Sequence, residues 1–487
     1  MGVGVSNWVL ARAVSLCGQL GVVSGTALDS VLVRRLQDGD VGGHVRRAME
    51  RFPDPSVAAE ALSRFFRPEG RAPGEPYKML GMYRKVVDRF RNQLTVLANF
   101  VEVYLAKEGH DGAVGINLLT KIQLPTLASL YGAILAGVDY VLMGAGIPRE
   151  IPGSLDRLAR HERASLRLDL EDVRNGDVEE ITFEPAEMWS GLLPAPMGRP
   201  RFLAIVASNS LATMLVRKAN GSVDGFVIEG PTAGGHNAPP RGKTTHNDRG
   251  EPVYGERDVV DLEKFAELGL PFWAAGGTGR PGAVDEVRRA GGAGIQVGTL
   301  FAYCDESGLN HSYKAGVIQR SLDGEIDVYT DDRASPTGFP FKTVDLAESV
   351  SHAETYARRE RVCDLGYLRT AFRTPEGKLD YRCAAEPIEA YVRKGGTAEE
   401  AAGRRCLCNS LMANIGHAQV RKSGAVEAPL LTSGDELRNL GQFLAGRSSY
   451  SASDVIDYLL SGMPAFDSEG RSTNGCVEKA SSARSRA

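Results

Sequence analysis

Eight short apolar segments, four of which end in glycine and most of which precede a helical pattern, constrain the fold of this chain more than any other feature. In order they are GVGVS (2–6), LGVVSG (20–25), AVGINLL (113–119), DYVLMGAG (139–146), RFLAIVASN (201–209), VDGFVIEG (223–230), LPFWAAGG (270–277) and AGIQVGT (293–299). Continuous apolar strands that alternate with helices predict a parallel sheet covered on both faces. Eight such units favour an α/β fold of the (β/α)₈ TIM barrel type over an open sheet. The first segment starts at the second residue, so we expect that strand either to be short or to begin upstream.

Three additions interrupt or follow this predicted barrel. A mostly helical insertion covers residues 26–111, after the second strand. A hairpin insertion follows the fourth strand, because Asn175–Gly176 is a strong type I′ turn pair. We therefore assign residues 1–320 to the barrel, 321–466 to a helix-rich C-terminal extension, and 467–487, rich in Ser and Arg, to a disordered tail.

Composition excludes several classes of function. The chain has 487 residues, 43% of them hydrophobic and 24% charged, as expected of a globular protein with an ample core. A formal net charge of −4 gives no basic excess for nucleic acid or a membrane surface. No apolar run is long enough to span a bilayer, and the apolar N-terminus, interrupted by Arg12, is a poor signal peptide. Seven cysteines form no disulfide framework in a chain of this length, so we expect a cytoplasmic protein.

Glycine-rich loops follow the last two predicted strands. The first contains Gly277-Thr-Gly279-Arg-Pro-Gly282, a literal GxGxxG motif. A dinucleotide fingerprint belongs in the first βα unit and needs an acid at the end of the next strand, whereas that strand ends in Gln296-Val-Gly298-Thr299. In (β/α)₈ barrels the loops after strands seven and eight often hold a phosphate, and glycines leave backbone N–H groups open to the anion. The two loops therefore predict a phosphate site, with tight turns alone as the alternative.

A histidine follows the sixth predicted strand, in TAGGHN (232–237). The glycines before His236 let the backbone approach a flat ligand closely. An imidazole held beside a cofactor can take a proton from an acidic carbon. The alternative is a loop histidine that only hydrogen-bonds a carbonyl group.

These segments together resemble the nitronate monooxygenase (2-nitropropane dioxygenase-like) flavoproteins, and they occur in the family's order over about residues 1–308. Those proteins are FMN-binding barrels with a Gly-Gly-His motif after strand six. The resemblance implies FMN as cofactor and a small-molecule substrate, with the oligomeric state left open. It implies a backbone approach to the flavin at Gly4 and Val5, a hydrogen bond from Asn117, a lining of Gly234 and Gly235, a phosphate site at Gly276, Gly277, Gly298 and Thr299, and a catalytic base at His236.

Departures from the family pattern leave the substrate open. Thr232 stands where the family often has glutamate, Ala238 replaces a glycine, and a longer loop covers residues 237–258. The resemblance implies oxidation of nitroalkanes or alkyl nitronates with O₂. The same barrel also serves FMN-dependent NAD(P)H enoyl and quinone reductases, which remain an alternative. The turn-rich, aromatic segment 332–342 could cover the active site as a lid.

A third alternative is a barrel without catalysis that binds a partner or a metal. Four cysteines of the C-terminal extension carry it: Cys363, Cys383, Cys406 and Cys408. Four thiolates could hold zinc or an iron–sulfur cluster, but the CxC spacing matches neither common pattern. We therefore favour buried, inert thiols and predict no metal ligands.

Overall fold

The computed structural model describes residues 2–171 and 178–461. The strands are β1 (Gly21–Ser24), β2 (Val114–Leu119), β3 (Tyr140–Gly144), β4 (Ala164–Leu168), β5 (Leu170–Glu171), β6 (Glu179–Phe183), β7 (Arg201–Val206), β8 (Gly225–Glu229), β9 (Phe272–Ala275), β10 (Gly294–Gln296), β11 (Val328–Asp331), β12 (Phe341–Val344), β13 (Thr370–Arg373) and β14 (Leu379–Arg382).

The α-helices are α1 (Trp8–Leu16), α2 (Leu28–Gln37), α3 (His44–Met49), α4 (Pro55–Phe65), α5 (Arg89–Lys107), α6 (Thr126–Leu135), α7 (Ile151–Ala159), α8 (Asn209–Lys218), α9 (Leu262–Ala266), α10 (Ala283–Arg289), α11 (Thr299–Ala302), α12 (His311–Leu322), α13 (Ala353–Arg358), α14 (Ile388–Arg393), α15 (Ala398–Ala401), α16 (Leu407–Asn414), α17 (Leu440–Leu444) and α18 (Ala452–Leu460). Short 3₁₀ helices cover Val41–Gly43, Pro185–Met188, Glu256–Asp258 and Asp435–Asn439. Among the described residues, none of the helices combines the length and the apolar character needed to cross a bilayer.

Seven parallel strands form the central sheet, in the order β1-β2-β3-β7-β8-β9-β10. Side chains from one face of this sheet pack into a single cluster, to which both Val22 of β1 and Trp273 of β9 contribute. Residues of every strand of the sheet, from Val22 of β1 to Ile295 of β10, also line one cavity, as expected of a sheet that curls around it. The α/β fold with a curled parallel sheet is confirmed, and seven of the eight predicted segments contain its strands.

The prediction of a first strand at residues 2–6 is wrong. These residues form a turn in which Gly4 has a φ of +59°, a left-handed conformation that cannot continue a strand. The turn leads directly into α1, whose N-cap Asn7 accepts a hydrogen bond from the Leu10 N–H. Within the described part of the chain, β1 and β10 are therefore the two edges of the sheet, and no eighth strand closes it into a barrel.

The turn nevertheless lies beside the sheet edge at β1. The Ser24 N–H donates to the Ser6 carbonyl over 2.8 Å, and the Ser6 hydroxyl donates to the Val22 carbonyl over 2.6 Å. On its other side, the Gly308 N–H donates to the Val5 carbonyl over 2.8 Å. The N-terminal turn thus occupies space beside β1 that an eighth strand would otherwise fill.

Residues 26–111 contain helices α2 to α5, of which α5 is the longest. Its N-cap Asp88 accepts a hydrogen bond from the Arg91 N–H, and most of its residues are buried against α1, α2 and α6. Farther along the chain, β4 and β6 pair antiparallel. The predicted turn at Asn175–Gly176 between them lies outside the described residues.

The part of the chain after residue 320 combines short strands with short helices and packs on the mouth of the curled sheet. Strands β11 and β12 form one hairpin, and β13 and β14 pair antiparallel, with β5 added in parallel to β13. Helices α17 and α18 share a hydrophobic core with α1 and α12. The tail predicted at 467–487 lies outside the described residues.

Candidate functional site

A cavity of about 980 Å³ lies within the curl of the sheet and extends to the end where the parallel strands finish. Its wall includes eight of the ten residues that the sequence singled out: Val5, Asn117, Gly234, Gly235, His236, Gly276, Gly298 and Thr299. Gly4 and Gly277 precede or follow wall residues in the chain without lining the cavity themselves. Since the ends of parallel strands converge at one edge, the topology brings together residues that lie up to about 290 positions apart.

The loops after β9 and β10 present backbone donors to this cavity. The N–H groups of Gly276, Gly277, Gly298 and Thr299 donate no hydrogen bond to any residue of the described ranges. Gly276 has a φ of +85°, and a Cβ added there would lie 2.9 Å from the Ala233 nitrogen. Glycine is therefore required at this position by conformation and by space, and the free donors suit an anion.

His236 is fixed in the cavity wall by the segment before β12. Its backbone forms an antiparallel bridge with Phe341, whose ring packs edge-on against the imidazole at 4.9 Å between centroids. The imidazole Nε2 lies 2.7 Å from the Ser335 Oγ, and this hydroxyl lies 2.8 Å from the Thr337 Oγ1. Burial lowers the pKa of His236 to about 4, so the ring is neutral near pH 7.

Glu229, at the end of β8, is a cavity residue that the sequence reasoning did not single out. No hydrogen bond or ion pair of its carboxylate is found in the described part of the chain. Burial raises the pKa of Glu229 to about 7. The position of Glu229, at the end of an apolar strand just before the histidine loop, could have indicated a site residue. An acid at a strand end has no distinctive spacing, however, and so does not stand out in the sequence.

A segment of the C-terminal part, residues 432–437, lines the cavity, and we call it the 432–437 segment. The Thr432 Oγ1 accepts from the Gly235 N–H over 2.8 Å. The Gly434 N–H donates to the Thr299 Oγ1 over 2.9 Å. This segment could not be predicted from the sequence, because it lies about 130 to 200 residues from its partners and carries no motif.

Close approach of two backbones explains one glycine of the histidine loop. A Cβ at Gly234 would lie 2.7 Å from the Gly434 nitrogen, and a Cβ at Gly434 would lie 2.8 Å from the Thr232 carbonyl oxygen. The sequence predicted that Gly234 allows a ligand to approach. The structure adds that both glycines let the 432–437 segment pack against the loop.

The two flanking segments that the sequence placed near the site differ in their positions. Segment 332–342 reaches the cavity, where Phe339 and Phe341 form part of the wall. The long loop 237–258 folds back on itself, with a bridge between His246 and Pro252, and the His246 Nε2 lies 2.8 Å from the Asp332 carboxylate. Only the beginning of this loop, at Asn237 and Ala238, lines the cavity.

The four C-terminal cysteines lie close together although they are distant in sequence. Cys383 and Cys406 are buried, and Cys363 and Cys408 pack in the same small cluster. All four are free thiols. Within residues 2–171 and 178–461, no three His, Cys, Asp or Glu side chains are arranged so as to hold a metal ion.

Comparison with known proteins gives one family match. Residues 199–332, which run from just before β7 to just after β11 and include His236, match the family model described as nitronate monooxygenase. A search of curated proteins finds no match.

Three solved structures with a similar course of the chain are distant in sequence. FabK from Thermotoga maritima is 15% identical, with 99% of this chain and 92% of that chain covered and a TM-score of 0.44. A nitroalkane oxidase from Streptomyces ansochromogenes is 14% identical, with 100% and 95% covered and a TM-score of 0.42. The enoyl reductase domain of MlnA from Bacillus amyloliquefaciens is 10% identical, with 82% and 88% covered and a TM-score of 0.39. Likenesses this distant carry no argument about activity.

Proposed function

We propose that this chain, which the match over residues 199–332 identifies as a flavin oxidoreductase of the nitronate monooxygenase family, oxidises small nitroalkanes or their nitronates with O₂. The observation that carries the proposal is the position of His236. It lies within the matched region, and it shares a cavity wall with the glycine loops after β9 and β10. A proton acceptor and a set of free N–H donors in one cavity are what a flavin site of this kind requires.

The cavity fits FMN by its donors and by its size. The free N–H groups of Gly276, Gly277, Gly298 and Thr299 would hold the phosphate, and Asn117 would hydrogen-bond the ring. Gly4, Val5, Gly234 and Gly235 would flank the flavin through their backbones. Bound there, FMN would accept electrons from the substrate and pass them to O₂.

His236 would take the carbon proton of a neutral nitroalkane, and its neighbours prepare it for that task. For Nδ1 to be the basic atom, Nε2 must carry the proton and donate to the Ser335 Oγ. Ser335 can accept this bond because its own hydrogen has a second acceptor, the Thr337 Oγ1 at 2.8 Å. Ser335 is fully buried, so the pair is held in place by packing and shielded from water.

The pH dependence of turnover tests the state of His236. Because burial lowers its pKa to about 4, the imidazole keeps its proton-accepting form well below neutral pH. We expect kcat/KM for a neutral nitroalkane to show no loss from this group between pH 8 and 5, and to fall about tenfold per pH unit below about 4. An acidic limb near 6.5, the ordinary histidine value, would contradict the buried state.

A second candidate, an FMN-dependent NAD(P)H enoyl or quinone reductase, is favoured by the cavity itself. At about 980 Å³ it lies at the upper end of the range of about 300–1,000 Å³ for small-molecule sites, and its wall is largely apolar. Such a cavity leaves room for a substrate larger than a nitroalkane.

Anaerobic mixing separates the two candidates. One anaerobic sample of the flavin-loaded protein is mixed with NADPH or NADH, and a second sample is mixed with a nitronate. The visible absorbance of the flavin is followed in both. We expect rapid bleaching by the nitronate and little by the nicotinamides. Rapid bleaching by a nicotinamide alone would replace the oxygenase with the reductase.

A further inference from the structure

Glu436, in the 432–437 segment, directs its carboxylate at the loop after β9. This carboxylate accepts a hydrogen bond from the Gly279 N–H. A Cβ at position 279 would lie 2.9 Å from each carboxylate oxygen and from Cδ of Glu436. The middle glycine of the GxGxxG motif therefore makes room for a carboxylate of the chain itself.

The charge of Glu436 has no partner of opposite sign. In the described ranges, no Lys, Arg or His side chain forms an ion pair with it. The neighbouring Asp435 differs, because Lys342 lies 2.9 Å and Arg438 3.1 Å from its carboxylate. Burial raises the pKa of Glu436 above its ordinary value, which agrees with a negative charge that lacks compensation.

The carboxylate lies beside the donors that we assign to the phosphate. Glu436 lines the same cavity as Gly276, Gly298 and Thr299. Two residues earlier, the Gly434 N–H is bound to the Thr299 hydroxyl, which ties the 432–437 segment to the start of α11. The 432–437 segment thus contacts the loops after both β9 and β10, and one N–H group of the first loop is already bound to an anion of the protein.

We propose that Glu436 is a specificity-determining residue of the flavin site, which sets the preference between FMN and riboflavin by opposing the phosphate with its own charge. This inference rests on the proposed function, since it takes the glycine loops as the phosphate site. Riboflavin carries the same ring without the phosphate, so it should not sense the charge. The carboxylate therefore weakens the binding of FMN and leaves that of riboflavin unchanged.

Flavin titration of the full-length apoprotein, followed by quenching of flavin fluorescence, tests this. Glu436→Gln keeps an oxygen that can accept from the Gly279 N–H but removes the charge. We expect its Kd for FMN to fall by about tenfold or more, because a like charge a few ångströms away in a partly buried site is worth at least that factor. The Kd for riboflavin should stay within about twofold. Glu162→Gln is the matched control, because it removes an exposed carboxylate that is paired with Arg160 and does not line the cavity, and it should change neither Kd.

Three outcomes would overturn the inference. In Glu436→Gln, the Kd for FMN could stay unchanged, it could rise, or the Kd values for FMN and riboflavin could change by the same factor. Each of these results would make Glu436 a structural residue only. Should Glu436→Gln fail to fold, Glu436→Ala measured in the same way decides, with a rise in the preference for FMN expected. If the wild-type protein binds neither flavin, the proposed function falls together with the inference, whereas binding of FMN without an effect of the charge overturns the inference alone.

Discussion

Replacing His236 by Asn should lower kcat/KM for a neutral nitroalkane by a factor of about 10² to 10⁴, the usual contribution of a general base. Asparagine keeps a polar side chain at this position, but its amide cannot accept the carbon proton. A nitronate formed beforehand has already lost that proton, so its turnover should change far less. Oxygen consumption measured with both forms of the same nitroalkane gives the two values.

Ser335→Ala is the matched control for this substitution. It removes the hydroxyl 2.7 Å from Nε2 but leaves the imidazole in place. We expect a smaller loss with the neutral substrate, about tenfold, because a misaligned base still works. If His236→Asn leaves turnover of the neutral nitroalkane intact, another group is the base, and Glu229, with a pKa of about 7, becomes the next candidate.

Replacing Arg91 by Met should lower the free energy of unfolding by about 3–5 kcal/mol, the cost of leaving one partner of a buried ion pair alone. The Arg91 Nη1 lies 2.5 Å from the Asp29 Oδ2, and the two side chains are 9% and 2% exposed. The Tyr367 hydroxyl also donates to Asp29, so the pair joins α2, α5 and the C-terminal part of the chain. Urea unfolding followed by circular dichroism measures the change.

The control for Arg91→Met is an ion pair in solvent. Arg160 and Glu162 are paired at 2.9 Å with side chains 57% and 52% exposed, so Arg160→Met should leave the unfolding midpoint nearly unchanged. If Arg91→Met is as mild as Arg160→Met, the buried pair does not connect the helical insertion to the C-terminal part. If Arg91→Met unfolds in two transitions with different midpoints, the helical insertion and the C-terminal part unfold separately in this variant.

The strands of the sheet could be predicted because each lies in a short apolar run, several of which end in glycine, as in VDGFVIEG before the histidine loop. The first predicted strand failed for a local reason. The run GVGVS is apolar, but Gly4 takes a left-handed conformation, and Asn7 starts a helix only a few residues later. Hydrophobic pattern alone cannot distinguish a turn of small apolar residues from a strand of the same length.

The residues of the candidate site likewise fall into those that could be predicted from the sequence and those that could not. His236 and the glycine loops lie at strand ends, where the topology of a parallel sheet brings residues together regardless of their distance in sequence. Ser335, Thr432 and Glu436 come from irregular segments of the C-terminal part, and their contacts depend on how those segments run. No hydrophobic periodicity or turn motif predicts the course of these irregular segments, so the three residues could not be assigned to the site from the sequence.

The central claim is that glycine-exposed N–H groups at the ends of β9 and β10 hold the phosphate of FMN. Titration of the apoprotein with FMN, for the wild type and for Gly276→Ala, tests it most directly. Alanine at this position meets both a left-handed backbone and the Ala233 nitrogen at 2.9 Å. A yellow wild-type complex is expected, with FMN affinity about 5- to 150-fold weaker in the variant, since such strain costs about 1–3 kcal/mol. A wild-type protein that stays colourless with FMN, or a variant that binds it equally well, would contradict the account.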